Sequence, residues 1–365
     1  MKRDRPRNIL VLRYRFIGDT ILTVPFLRNL RRAEPDAVIH LVLAPLSGDV
    51  LQGIPYVDRI LYWDPQTIHG DCLGTHRKLG AKCGFVRQLR GNGYDKVYVL
   101  KRSFSSALMG YLSGAPERIG FDTEGRGILL TTRVPYDHTL HEVQNFLNCL
   151  RHDGIEVADD YLEAWISKEE REGAMRFLTN LGWMPGEPVI ALHPFSAVRE
   201  RSWPLDRFIE LANGAWQEWR WPALWLGGKG DLGQAEEIRN GQRGTSLMAI
   251  GSTDIRQSMA LLSLASLFVG NDSGIMHLAA ALHLPLVALF GPQSVEKFGP
   301  WGDPARCRVI SKRFPCHPCR QRFFTECSPG PEGRPLCMES IRTEEVFEEI
   351  DRLRLLGVER AESKG

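Results

Sequence analysis

Four stretches carry residues whose types and spacing suit chemistry. The first is the turn Gly270-Asn271-Asp272-Ser273-Gly274, set between an apolar run at 267–269 and apolar residues at helical spacing over 275–282. A polar, glycine-containing turn where a strand gives way to a helix presents backbone N–H groups and the positive end of a helix dipole to an anion. Asp272 or Ser273 can equally cap that helix. The second is Gly18-Asp19-Thr20, after an apolar run at 9–12. Asp19 there reads, on the sequence alone, as a helix cap. The third spans 196–203, where Ser196, Arg199 and Arg201 gather. The planar fork of a guanidinium suits a diphosphate, and a hydroxyl can add to it. The competing reading pairs these arginines with Glu200 or Asp206.

The fourth is a cluster of cysteines, Cys316-x-x-Cys319 followed by Cys327 and Cys337, within a stretch rich in proline and glycine. In a reducing compartment such a cluster is more often a metal clip than a pair of disulfides. Its spacing departs from the standard zinc-finger pattern, so a structural zinc and four free thiols both stand as readings. A further motif, Gly228-x-Gly230-x-x-Gly233, has the dinucleotide pattern. It follows the second strand of its half rather than the first, and no acidic residue ends a strand about 20 residues on. A nicotinamide-dependent oxidoreductase is therefore a minor alternative.

The elements that must position these turns alternate strand and helix in both halves of the chain. Buried apolar runs at 8–13, 38–43, 59–62 and 96–100 form a first set, and 189–193, 223–226, 247–250, 267–269 and 286–290 a second. Alternation of this kind implies parallel sheets covered by helices on both faces. The expected architecture is α/β, two Rossmann-like domains facing a cleft. The first domain is expected over 1–175 and the second over 185–342, with a C-terminal helix and tail at 343–365. A single helix from 18 to about 32, with Pro25 inside it, and a long loop over 121–135 complete the reading.

The 365 residues allow two domains of ordinary size. With 43% hydrophobic and 25% charged residues the composition is that of a globular protein, and no segment reaches the roughly 18 apolar residues of a membrane span. The apolar run after the basic start is too short for a signal peptide, so a cytoplasmic protein is expected. Net charge is only +2. Locally, though, Lys2, Arg3, Arg5, Arg7, Arg13, Arg15, Arg28, Arg31 and Arg32 face only Asp4 and Asp19. That excess suits contact with an anionic acceptor or an anionic lipid surface. Nucleic acid is not expected, since no recognised binding motif accompanies it.

The segment GNDSGIMHLAAALHLPLVALFGP at 270–292 resembles the signature of glycosyltransferase family 9, the lipopolysaccharide heptosyltransferases. RYRFIGDTILTVPFLRNLR at 13–31, HPFSAVRERSWP at 193–204 and the cysteine cluster extend the resemblance over nearly the whole chain. It implies the GT-B fold and an inverting transfer, most naturally of heptose from ADP-heptose, to a lipopolysaccharide core or related cell-surface glycan. A donor such as a nucleotide-linked N-acetylglucosamine is the alternative within the family. By the resemblance Asp19 is the catalytic base. Gly18, Ser196, Arg201, Asp231, Asn271, Asp272, Ser273, Gly274 and His277 bind the nucleotide-sugar. Where the family usually has lysine before x-Trp-Pro, this chain has Arg201. The first domain would take the lipid-linked acceptor and the second the donor. No cofactor is implied for the chemistry.

Overall fold

The computed structural model describes residues 6–65, 74–317 and 319–362, with side chains to 355. The chain divides into two units, Met1–Trp165 and Ile166–Gly365. The first holds strands β1 (Asn8–Leu12), β2 (Val38–Leu43), β3 (Arg59–Tyr62), β4 (Lys96–Val99), β5 (Glu117–Phe121) and β6 (Thr132–Val134), in the order β3-β2-β1-β4-β5-β6. The second holds β7 (Ile190–His193), β8 (Ala223–Trp225), β9 (Ser246–Met248), β10 (Leu267–Asn271), β11 (Leu286–Phe290) and β12 (Cys307–Ser311), in the order β12-β11-β10-β7-β8-β9. All neighbouring strands are parallel. Counted within each unit, both sheets run 3-2-1-4-5-6, the doubly wound order. The two-domain α/β expectation is met.

The central strands β4, β7, β8, β10 and β11 are buried along their whole length, because helices cover both sheet faces. In each unit the sheet order reverses between the first and fourth strands. That leaves a crevice beyond the carboxyl ends of β1 and β4 in one unit, and of β7 and β10 in the other.

Several expectations change. The division falls at 165/166, before the helix Lys168–Asn180, because Glu170 on that helix holds Arg256 of the second unit at 2.5 Å. The C-terminal helix Thr343–Glu362 is also part of the second unit. Val346, Ile350 and Leu353 are buried in its core, and Phe347 stacks on Trp219 at 4.6 Å. Gly214 permits that approach, since a Cβ there would stand 2.9 Å from the Phe347 ring. The expected single helix from residue 18 is two, Ile17–Ile21 and Val24–Ala33, with Pro25 in the first turn of the second, where proline is tolerated. The expected loop over 121–135 contains a 3-10 turn, Arg126–Leu129, and strand β6.

Candidate active site

At the carboxyl end of β1 the chain makes a strained turn. Arg15 and Phe16 both have positive φ, 81° and 62°, a conformation that costs non-glycine residues of order 1–3 kcal/mol each. The strain delivers the short helix Ile17–Ile21, on which Asp19 is the third residue. Phe16, not Asp19, is the N-cap, and no side chain caps this helix. The capping reading of Asp19 therefore fails. Its carboxylate instead accepts Arg13 at 2.5 Å, and Arg13 lies over the Phe146 ring. Gly18 is buried in the same helix.

Beyond the adjacent β4 stands Lys101, a residue the sequence reading passed over. Burial pushes its ammonium down to about 7, Arg15 and Arg13 push the same way, and Asp19 opposes them. Its Nζ rests 4.2 Å from the Tyr14 ring centre, and the Tyr14 hydroxyl is 2.6 Å from Ser106 Oγ. The first crevice thus gathers Asp19 with Arg13, Arg15 and a Lys101 whose ammonium is only partly protonated at neutral pH. Its only sequence signal was Lys101-Arg102 directly after an apolar strand.

The second crevice is built from buried hydrogen bonds. Asn271 ends β10 with no exposure. Its Oδ1 accepts the Trp203 N–H at 3.0 Å and its Nδ2 donates to the Pro194 carbonyl at 2.8 Å. Asn271 was expected to touch the donor. Its side chain is instead committed to fixing the two loops that flank the site. Ser273 caps the helix Gly274–Ala281, accepting the Met276 N–H, and its hydroxyl meets His193 Nδ1 at 3.3 Å. Burial pushes His193 down to about 4, which keeps the ring neutral at pH 7.

Asp272 lies beside the cap and is reached by Arg201 Nη1 at 3.3 Å, while Ser196 Oγ donates to its carbonyl. Arg201 pairs with neither Glu200 nor Asp206. Its Nη2 donates to Gln321 Oε1 at 2.6 Å. Ser196, Arg201, Asp272, Ser273 and Gly274 therefore come together at the mouth of β7 and β10. His277 is one turn into the helix and buried. Asp231 stands beyond the neighbouring β8, accepting the Gly228 N–H at 2.8 Å, with burial raising its carboxyl. A helix N-terminus, a guanidinium and a hydroxyl at one point are groups that suit an anion, though here Arg201 is paired with Asp272 and Gln321.

Cys316, Cys319, Cys327 and Cys337 line one cavity of about 240 Å³ with Phe314 and His317. Burial, and then the three neighbouring thiols, push Cys337 up to about 12. Among the described residues no group of three or more His, Cys, Asp or Glu side chains is arranged to hold a metal ion. Cys72 lies outside the described residues.

A family model, glycosyltransferase family 9 (heptosyltransferase), matches residues 83–327. Lipopolysaccharide heptosyltransferase 2 of Escherichia coli K12 is 29% identical over 361 residues, covering 95% of this chain and 99% of its own. The glycosyltransferase family 9 structure from Veillonella parvula superposes with a TM-score of 0.84 at 24% identity, covering 97% of this chain and 98% of its own. The structure of Escherichia coli ADP-heptose lipopolysaccharide heptosyltransferase II gives 0.77, also at 24%, covering 96% and 99%. Two parallel sheets of the same order and a match over most of the chain converge on one conclusion: the protein belongs to glycosyltransferase family 9, the heptosyltransferase family, and has the GT-B fold.

Proposed function

We propose that the protein transfers heptose from ADP-heptose to a lipopolysaccharide core, inverting the anomeric centre. The observation that carries this reading is the convergence of Arg201, Ser196 and the 272–274 turn at the N-terminus of helix Gly274–Ala281. There a diphosphate would gain charge-assisted hydrogen bonds as it departs with an extra negative charge. Asp231 at the adjacent strand end is assigned to the ribose. The related proteins from Escherichia coli named above are a heptosyltransferase 2 and an ADP-heptose transferase, which favours heptose over N-acetylglucosamine.

In the reaction the acceptor hydroxyl attacks the anomeric carbon and gives its proton to the Asp19 carboxylate. The new C–O bond forms as the bond to the diphosphate breaks, and ADP leaves. Arg13 holds Asp19 in position through the 2.5 Å pair. The Arg15 guanidinium and the partly protonated Lys101 around it suit an acidic, lipid-linked glycan acceptor. Such an acceptor places the enzyme at the cytoplasmic face of a membrane, as a peripheral protein. Purified protein given ADP-heptose and a heptose-deficient core should release ADP and add one heptose to the acceptor. Turnover of a nucleotide-linked N-acetylglucosamine in its place would move the chain to the alternative donor class.

The four cysteines are assigned to one structural zinc. Supporting this, four soft donors face a single small cavity in a lobe with little secondary structure. The thiols would draw inward on binding, with loss of their protons. Elemental analysis should find about one zinc per chain. Metal-free protein with four titratable thiols would remove the assignment.

A further inference from the structure

Lys2, Arg3 and Arg5 lie outside the described residues, and most of the described basic residues near the amino terminus are paired inside the first unit. Arg28 is buried against Asp159, Glu163 and the Tyr161 carbonyl, Arg31 holds Asp58, Arg7 holds Glu34 and Arg32 holds Asp159. Among the described residues a second surface suits an anionic bilayer better. The helix Phe104–Leu112 supplies one. It carries no charged residue, and Phe104, Leu108, Tyr111 and Leu112 recur at helical spacing on its outer side. Their exposures are 53%, 37%, 52% and 36%, and Ile128, on the 3-10 turn packed beside this helix, is 75% exposed.

Beside this stripe packs the helix Leu79–Gly91, whose charged residues are Lys82, Arg87 and Arg90 without one acid. All three are exposed, and none forms an ion pair among the described residues. Arg90 reaches Gly114 just past the end of the apolar helix, and the Arg118 guanidinium sits 5.5 Å from the Tyr111 ring centre. The nearby acids Asp122 and Glu124 are occupied by Arg133 and Arg126. An apolar ridge bordered by uncompensated cations complements the interface of an anionic bilayer. The same helix is tied to the Asp19 turn, since Ser106 bonds Tyr14 and Tyr14 lies under Lys101.

We propose that the outer face of helix Phe104–Leu112, flanked by Lys82, Arg87, Arg90 and Arg118, docks the enzyme on an anionic lipid bilayer and so brings the Asp19 turn to the membrane surface. This deepens the reading of a lipid-linked acceptor and rests on it for its biological purpose, though docking itself is measured without any acceptor.

Full-length protein should cosediment at low salt with vesicles of phosphatidylcholine and phosphatidylglycerol, and much less with phosphatidylcholine alone. The variant Leu108→Ser/Tyr111→Ser/Leu112→Ser should lower the partition coefficient about tenfold or more, and so should Lys82→Glu/Arg87→Glu/Arg90→Glu. Both should keep the parent kcat on a deacylated, water-soluble acceptor and show a raised KM only for acceptor embedded in vesicles. The charge variant alters exposed side chains alone, so it carries the test if the apolar variant fails to fold. Vesicle binding absent in the parent, or equal in parent and variants, overturns the proposal. A parent dimer that the apolar variant turns to monomer, with vesicle binding unchanged, overturns it in favour of a second copy on this face. If neither acceptor is glycosylated while vesicle binding still follows the variants, docking stands and the transferase reading falls.

Discussion

The two units share one strand order, yet the crevices that this order creates are built in opposite ways. Beyond β1 and β4, two non-glycine residues at positive φ force a tight turn, and one carboxylate stands among Arg13, Arg15 and Lys101. Beyond β7 and β10, the backbone stays out of positive φ and is held by hydrogen-bonded groups: Asn271 bridging two loops, Ser273 capping a helix, and a buried His193 kept neutral. Topology determines where a crevice opens in a doubly wound sheet. Side chains at the strand ends determine its charge and stiffness. The strained, cationic crevice suits a reacting base and an acidic acceptor, and the rigid one suits a leaving group whose charge must be met without reorganisation.

The sharpest way to break this contrast is Asp19→Asn. The substitution keeps the shape and removes the base, so kcat should fall by about 10²–10⁴ with ADP affinity nearly unchanged. Turnover close to the parent's would remove Asp19 from the chemistry. In the second crevice, Arg201→Ala should weaken ADP binding by about 1.5–3 kcal/mol, as for a hydrogen bond to a charged group. Isothermal calorimetry finding equal affinity would leave Arg201 only the task of holding Asp272 and Gln321. Asn271→Ala tests whether that crevice is held by buried polar groups. It strands the Trp203 N–H and the Pro194 carbonyl, and should lower unfolding stability by about 1–3 kcal/mol while ADP affinity in the folded protein changes little. A large loss of affinity without loss of stability would return Asn271 to the donor contacts.

The smallest effect concerns His193. Burial lowers its folded-state value to about 4 from an ordinary 6.5, so the unfolded chain binds the extra proton between those values. The native state is therefore favoured above pH 6.5, and this contribution is lost as pH falls from about 6.5 toward 4. A His193→Gln variant should show a flatter melting temperature across that window than the parent. Parallel profiles would show that His193 is not the group responsible.

Much of the site was legible because its signals are local. An apolar run, then Gly and Asp or Ser, then apolar residues every three or four positions marks a strand-turn-helix, and such marks place the 18–20 and 270–274 turns without any coordinates. Central strands declared themselves for the same reason, since burial on both faces demands unbroken apolar runs. The edge and near-edge strands β5, β6 and β12 did not. Arg118, Arg133 and Arg308 interrupt them, and only pairing with a neighbour makes them strands. The sequence by itself determined the alternation of elements, the positions of both polar turns and the presence of Asp19, Arg201 and the cysteines. The tertiary structure decided that Asp19 faces Arg13 rather than capping its helix, that the Asn271 side chain bonds the two loops beside it, that Lys101 joins the first crevice and that the helix after Trp165 belongs to the second unit. Each of those depends on which partner a side chain meets once the chain has folded, whether six residues away, as for Asp19 and Arg13, or far along the chain, as for Asn271 and Glu170, and no local period encodes that partner.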